Sequence, residues 1–151
     1  MIASVDDCKN YKNFDKYVPQ VHLGKVFKCY DGDTISVLAS IAEDRKKLYR
    51  FSVRIRGVDT PEIRTKDPIE KYWARRAQKM VENLVLHRNV TLSEVALDKY
   101  GRILANIECA GVDLATAVIK AKLGRAYDGG MRTKIDWEEF CAPSNGPSGL
   151  A

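Results

Sequence analysis

RFSVRIRGVDTP, residues 50–61, alternates apolar and polar side chains more regularly than any other stretch of the chain. The apolar positions are Phe51, Val53 and Ile55, and the polar positions around them are Arg50, Ser52, Arg54 and Arg56. A period of two places the apolar side chains on one face of a β-strand and the arginines on the other. Pro61 lacks a backbone donor, so it ends the pattern. The stretch predicts a strand with one buried face and one basic face.

Four further segments have strand character: residues 21–30, with a break at Gly24, and residues 34–38, 90–95 and 103–109. The Asp31-Gly32-Asp33 sequence is typical of a turn and separates the segment 21–30 from the segment 34–38. Residues 39–47 are predicted to form a charged hairpin tip. These segments, with residues 50–61, give five short strands.

Helices are predicted in two places. Asp67-Pro68-Ile69-Glu70 resembles a capping box with proline in the first turn. Apolar residues at helical spacing then continue to Leu86: Ala74, Ala77, Met80, Val81, Leu84 and Val85. Asp113 can cap a second helix with the apolar face Leu114, Ala117, Val118 and Ala121, and Gly124 is predicted to end it. A short third helix is predicted over residues 135–140.

Five strands with a helix between the third and fourth are typical of an OB-type barrel. The predicted fold class is therefore α+β, mainly β, with a five-stranded OB-fold barrel and two to three helices. Residues 20–141 are assigned to this domain, residues 1–19 to a polar N-terminal extension, and residues 142–151 to a flexible tail rich in Pro, Gly and Ser. A monomer is expected.

The chain has 151 residues and a net charge of +5, which suits a polyanionic partner such as nucleic acid but also an ordinary solvated surface.

Its four cysteines have neither C-x-x-C spacing nor a zinc pattern with His22 or His87, and their spacing does not argue for disulfides. The first residues do not resemble a signal peptide, and no run is long enough to span a membrane. We expect an intracellular location for the chain as given, or secretion if a leader has been removed.

Three polar clusters lie at strand ends or in connections: Asp31–Thr34, Arg54 with Asp59–Glu62, and Asp98–Arg102. They contain carboxylates and arginines but neither cysteine nor histidine. Carboxylate and carbonyl oxygens suit Ca²⁺ or Mg²⁺ better than zinc, and arginine can bind two phosphate oxygens at once. Each cluster taken singly is also compatible with a hairpin turn, a helix entry or an exposed loop. Together they favour phosphodiester chemistry.

All three clusters, in their order and approximate spacing, resemble the staphylococcal nuclease family over residues 24–127. Arg54 stands five residues before Asp59, as in the family motif, and Lys71-Tyr72 and residues 79–83 in the first helix are also similar. The resemblance implies a calcium-dependent nuclease that cuts DNA and RNA, preferably single-stranded, on the 5′-oxygen side to leave 3′-phosphates. One Ca²⁺ ion is the implied cofactor.

The resemblance also implies roles for matching residues. Asp33 and Asp59 would bind Ca²⁺ through their carboxylates and Thr60 through its backbone carbonyl. Glu62 would act as general base or orient the water, and Arg54 and Arg102 would bind the scissile phosphate. The implied contacts to the rest of the substrate are Lys99, Tyr100 and Tyr127. Asp31 would lie beside the ion.

The chain departs from the family pattern after the second helix, where Tyr127 stands where two tyrosines are expected. The hairpin before Arg50 is longer, and the loop after Glu62 differs in sequence. The alternative function is a nucleic-acid-binding module of the same fold that does not cut. Retention of the acidic and arginine residues favours the nuclease.

Overall fold

A computed structural model describes residues 1–142, and the predicted tail from residue 143 onward lies outside the described residues. The elements in chain order are α1 (Val5–Lys9), a 3₁₀ turn (Tyr11–Asn13), β1 (Leu23–Cys29), β2 (Thr34–Ile41), β3 (Asp44–Ile55), β4 (Val58–Asp59), α2 (Pro68–Val85), β5 (Asn89–Leu97), β6 (Ile103–Cys109), β7 (Val112–Asp113), α3 (Leu114–Lys120), β8 (Arg125–Ala126) and α4 (Trp137–Cys141). Within this part of the chain no helix is long and apolar enough to cross a bilayer.

Five strands form a closed barrel in the order β3-β2-β1-β5-β6, and β6 returns to pair with β3. The neighbours are antiparallel except for the closing pair, β3 and β6, which are parallel with Val53 opposite Ile103. This is the predicted five-stranded OB-type barrel, so the predicted fold class is confirmed. Two short strands, β4 and β8, form a separate ladder beside it.

The barrel core is built from the inward sides of the five strands. Val53 and Ile55 of β3 are fully buried, and Phe51 is partly buried against the same core, as the alternation predicted. Val81 and Val85 of α2 and Val118 of α3 complete this core. Helix α2 therefore covers the barrel with the apolar face that its periodicity indicated. Helix α3 buries Leu114, Ala115 and Val118, whereas Ala121 of the predicted face is exposed and lies beyond the end of the helix.

A second, smaller cluster joins α2 to α4 through Trp73, Trp137 and Cys141. The Trp73 indole donates a 2.7 Å hydrogen bond to Glu138. The third predicted helix is therefore present, although it begins two residues later than predicted. All four cysteines are free thiols.

Two predicted boundaries are wrong. The hairpin tip is only Ala42-Glu43, because β2 and β3 continue through most of residues 39–47. The outer half of β3 is largely exposed, so no alternation marked it. Helix α3 ends at Lys120 rather than near Gly124, and Lys122 adopts the left-handed conformation with φ 57°. Gly124 is buried instead, where an added Cβ would lie 2.7 Å from Val58.

Candidate active site

The two acidic clusters meet beside β3 because of strand register. Thr34 at the start of β2 pairs with Arg54 near the end of β3, which places Asp33 next to the arginine. The Arg54 guanidinium lies 3.4 Å from an Asp33 oxygen and 3.8 Å from an Asp59 oxygen. Asp33 is 6% exposed and Asp59 only 1%. The structure thus places two buried carboxylates on either side of one arginine.

The chain after β4 reinforces this arrangement. The backbone N–H of Thr60, which is fully buried, donates to Asp33 at 3.1 Å. Arg54 also donates to the carbonyls of Ile55 and Val58 at 2.8 and 2.7 Å. Its guanidinium therefore fixes the turn that carries Asp59, in addition to neutralising carboxylate charge.

The Asp31-Gly32-Asp33 turn is closed by a 2.9 Å bond from the Tyr30 N–H to the Thr34 carbonyl. An Asp31 oxygen accepts the Asp33 N–H at 3.2 Å. Gly32 is required by close packing, since an added Cβ would lie 2.7 Å from Ala77 and 2.9 Å from Thr60. The turn is therefore pressed directly against α2.

Asp31 is the most electrostatically perturbed acid of the cluster. Burial raises the pKa of its carboxyl to about 8, and the neighbouring Asp33 charge adds to the rise. A nearby cation would oppose this rise by favouring the ionised form of the carboxyl.

Glu62 lies in the loop after β4 and is about half exposed. Its backbone N–H donates to Glu70 of α2 at 3.1 Å, and the other Glu70 oxygen accepts the Thr65 hydroxyl at 3.1 Å.

The capping box predicted at the start of α2 is only half correct. Asp67 caps the helix through Ile69 N–H at 2.9 Å, whereas Glu70 binds the loop.

The third cluster forms a tight turn between β5 and β6. Asp98 accepts the Arg102 side chain at 2.7 Å and the backbone N–H groups of Tyr100 and Arg102 at 2.9 Å. The Tyr100 ring is 73% exposed, with the Arg102 guanidinium 5.5 Å and the Lys99 ammonium 5.2 Å from its centre. The cluster presents an arginine, a lysine and an exposed aromatic ring together.

Two adjoining cavities collect most of the predicted site residues. The first, of about 530 Å³, is lined among others by Asp31, Asp33, Arg54, Glu62 and Arg102. The second, of about 500 Å³, is lined among others by Arg54, Lys99, Tyr100, Arg102 and Tyr127. Asp59 contacts the same Arg54, and Thr60 follows it in the chain. The predicted residues thus converge on one region of the surface.

Two further arginines at this region were missed from the sequence. Arg125 of β8 donates to Asp59 at 3.1 Å. Arg132, in the loop before α4, donates one nitrogen to Asp59 and another to Glu62. Burial opposes the charge of Arg132, but its hydrogen bond to Glu62 and the nearby Asp59 charge raise its pKa. Neither the two-residue strand that holds Arg125 nor the loop that holds Arg132 has a periodicity that would have indicated these arginines.

The oxygen donors at this region determine which kind of cation the site could hold. Asp33, Asp59 and the Thr60 carbonyl are hard oxygen donors of the kind that Ca²⁺ takes. The Thr60 hydroxyl is buried without a hydrogen-bond partner in the described part of the chain, and the Thr60 backbone N–H donates to Asp33. Over residues 1–142, however, no three Asp, Glu, His or Cys side chains are already gathered as a ligand set. The donors are therefore of the kind that Ca²⁺ binds, but arginine side chains contact the carboxylate oxygens of Asp33 and Asp59.

Comparison with known proteins identifies the family of the chain. The family described as "Staphylococcal nuclease homologue" matches residues 52–139, more than half of the chain. The chain belongs to the staphylococcal nuclease homologue family. The matched range includes Arg54, Asp59, Glu62 and Arg102 but begins after Asp33. Strand pairing between β2 and β3 brings the Asp33 carboxylate next to Arg54, which lies within the matched range.

Relatives of this staphylococcal nuclease homologue occur in bacteria, archaea and yeast. An uncharacterized endonuclease of Escherichia coli is 29% identical, with 70% of this chain and 61% of that protein covered. An uncharacterized protein of Methanocaldococcus jannaschii is 31% identical, with coverage of 67% and 56%. A probable endonuclease of Schizosaccharomyces pombe is 24% identical, with coverage of 80% and 59%. The chain thus spans about three fifths of the length of these relatives.

Proposed function

We propose that this staphylococcal nuclease homologue is a calcium-dependent nuclease that hydrolyses phosphodiester bonds in DNA and RNA. The observation that carries the proposal is the cavity in which Arg54 and Arg102 face Asp33 and Glu62. Two guanidinium groups can bind the oxygens of one phosphodiester. A carboxylate in the same cavity can accept the proton of an attacking water.

Asp33 and Asp59 would hold the calcium ion through carboxylate oxygens, and Thr60 would hold it through its carbonyl. Bound there, the ion would supply positive charge that polarises a phosphate oxygen and stabilises the charge developing in the transition state. Asp31, beside Asp33, would lie next to the ion, whose positive charge would favour the ionised form of the Asp31 carboxyl.

Glu62 is the proposed general base. Its half-exposed side chain can reach a water molecule, and Glu70 fixes its position by accepting its backbone N–H. Attack in line with the departing 5′ oxygen would yield a 3′-phosphate and a 5′-hydroxyl. Arg54 and Arg102 would stabilise the additional negative charge on the phosphorus oxygens.

The size of the required barrier lowering implies that both the general base and the positive charge at the phosphate contribute. Phosphodiester hydrolysis requires barrier lowering on the order of 20 kcal/mol. A positioned base contributes roughly a hundred- to ten-thousand-fold in rate, or about 3 to 5 kcal/mol. Most of the acceleration would therefore depend on charge at the phosphate, and loss of an arginine should reduce the rate as severely as loss of Glu62.

The surface beside the cavity suits a single strand. Tyr100 offers an exposed ring for base stacking, and Lys99 lies next to it for a neighbouring phosphate. Tyr127 lines the adjoining cavity. Phosphate contacts would dominate binding, so we expect little base preference and steep weakening by salt.

A second function, binding of nucleic acid without cleavage, is favoured by one observation. Arg125 and Arg132 already bind the oxygens of Asp59 and Glu62. In that state the acidic groups are neutralised and the cavity is suited to hold a phosphate. The two functions differ in whether calcium produces cleavage.

The test is a cleavage assay with purified wild type, Glu62→Gln and the control Glu108→Gln, on single-stranded DNA and RNA. Glu108 is exposed on β6 and lines none of the cavities described above. We expect wild type and Glu108→Gln to cut both substrates with Ca²⁺ and to stop in excess chelator, and Glu62→Gln to lose at least about a hundredfold in rate. Bound but uncut substrate at every calcium concentration would identify the binding module.

A further inference from the structure

Arg132 makes a contact that a calcium-dependent nuclease could not keep unchanged. One of its nitrogens donates to Asp59 and another to Glu62, so its guanidinium spans a proposed cation ligand and the proposed base. The contacted Asp59 oxygen also lies 3.8 Å from Arg54, and the other Asp59 oxygen accepts from Arg125. Both oxygens of this buried carboxylate are therefore taken by arginine.

The segment that carries Arg132 is tied to the domain on both sides. Arg125 donates to the hydroxyl and the carbonyl of Thr133 at 2.8 and 2.9 Å. The Tyr127 hydroxyl donates to the Gly130 carbonyl. The Arg132 side chain is 44% exposed, in contrast to Arg54 at 13% and Arg125 at 18%. Of the three arginines on Asp59, Arg132 is therefore the one whose side chain can leave without moving the backbone.

Charge also favours its departure. When ionised, the carboxylates of Asp33, Asp59 and Glu62 match in number the guanidinium groups of Arg54, Arg125 and Arg132 that contact them. Addition of a divalent cation with all three arginines in place would leave excess positive charge in a largely buried site. Release of one guanidinium would halve that excess, and Coulomb repulsion at these distances is strong where water is excluded.

We propose that Arg132 is an internal competitor of the divalent cation, and that a cation binds Asp59 only when the Arg132 guanidinium leaves Asp59 and Glu62. The inference rests on the proposed function, because it assumes that a cation binds at Asp33 and Asp59. It adds a determinant of cation affinity, the Arg132 side chain, that is separate from the ligands themselves. Departure of this side chain also frees the Glu62 carboxylate for water.

The inference predicts tighter cation binding when Arg132 is neutralised. Calcium chloride alone is titrated into wild type, Arg132→Gln and Arg64→Gln by calorimetry, without substrate. Arg64 lines the same cavity but forms no ion pair with any of residues 1–142. Its variant therefore controls for the loss of one positive charge nearby. We expect the calcium Kd of Arg132→Gln to fall about tenfold and that of Arg64→Gln to change by less than about threefold.

A lysine variant keeps the test interpretable if Arg132→Gln folds poorly. Arg132→Lys retains the charge but can no longer bridge two carboxylates with one planar group. We expect its calcium affinity to lie between those of wild type and Arg132→Gln. Circular dichroism melting establishes that each variant is folded before titration.

Equal calcium affinity in Arg132→Gln and Arg64→Gln, weaker binding in Arg132→Gln, or no measurable binding in either would overturn the inference. Cleavage is read separately in the Glu62→Gln assay. If wild type cleaves substrate but Arg132→Gln binds calcium with the same affinity as wild type, the proposed competition is wrong and the proposed nuclease function stands. Tighter calcium binding in Arg132→Gln without cleavage by wild type would refute the nuclease but keep competition.

Discussion

Asp98 binds Arg102 twice, through the side-chain Nε at 2.7 Å and the backbone N–H at 2.9 Å. One carboxylate therefore fixes both the turn before β6 and the direction of the guanidinium that enters the cavity. Burial opposes ionisation of Asp98, but the hydrogen bonds from the Arg102 side chain and from the backbone N–H groups of Arg102 and Tyr100, together with the Arg102 charge, lower the pKa of Asp98. Asp98 is a positioning residue for Arg102 in the proposed reaction.

Asp98→Asn is expected to reduce kcat about tenfold, since hydrogen bonds to charged groups contribute roughly 1.5 to 3 kcal/mol. A group whose folded pKa is lowered stabilises the fold above its unfolded pKa, about 3.9, and loses that effect as the pH falls through the folded value. The stability difference between wild type and Asp98→Asn should therefore shrink below about pH 4. Acid unfolding of both proteins measures it, and a difference that grows on acidification would contradict this assignment.

The two cavity arginines should respond differently to lysine. Arg54 is largely buried and donates to two carbonyls besides facing two carboxylates. Arg54→Lys should therefore lose most of the cleavage rate and also about 1 to 3 kcal/mol of stability. Arg102→Lys should lose the rate but little stability, because Arg102 is about one third exposed. Urea unfolding and cleavage rates measure both effects, and near wild-type turnover of Arg102→Lys would contradict two-oxygen binding of phosphate.

Gly32→Ala should destabilise the fold by about 1 to 3 kcal/mol, because its Cβ would press on Ala77 and Thr60. In an Ala77→Gly background the same substitution should cost less, since one of the crowding carbons is gone. A double-mutant cycle by chemical denaturation measures this coupling. Additive losses would show that the turn does not press on α2 as described.

Thiol labelling should separate the cysteines by burial. Cys8 is exposed, whereas Cys29, Cys109 and Cys141 are buried. Burial also raises the pKa of Cys29 to about 12 and that of Cys141 to about 11, which depletes the reactive thiolate. Iodoacetamide at neutral pH should therefore modify Cys8 first and the others only in denaturant. Mass spectrometry of native and denatured samples checks this order.

The regular parts of the fold and the acidic clusters were predictable because they follow short-range rules. Alternation marked β3 where one face is buried, and Asp113 was correctly identified as a helix cap, accepting the Thr116 N–H at 2.9 Å. The length of the β2–β3 hairpin was not predictable, since its outer half is exposed and the pattern disappears there. Sequence periodicity reflects which side chains are buried, so it does not mark the part of a strand in which both faces are exposed.

The arginines from the C-terminal part of the domain were also beyond sequence reasoning. Arg125 lies in a two-residue strand, and Arg132 lies in an irregular loop, so neither position has a pattern to assign it. Their partner Asp59 is more than sixty residues away. Only the pairing of β4 with β8 brings these segments together. A long-range contact of this kind has no local signature.

The parallel pairing of β3 with β6 has a consequence for the stage of protein synthesis at which the site can form. Arg54 lies in the first strand of this pair, and Arg102 immediately precedes the second, nearly fifty residues later. Such distant pairings form late, after the intervening chain has been ordered. During synthesis on the ribosome, the cavity that Arg54 and Arg102 line together can therefore be complete only after the chain has been extended through β6.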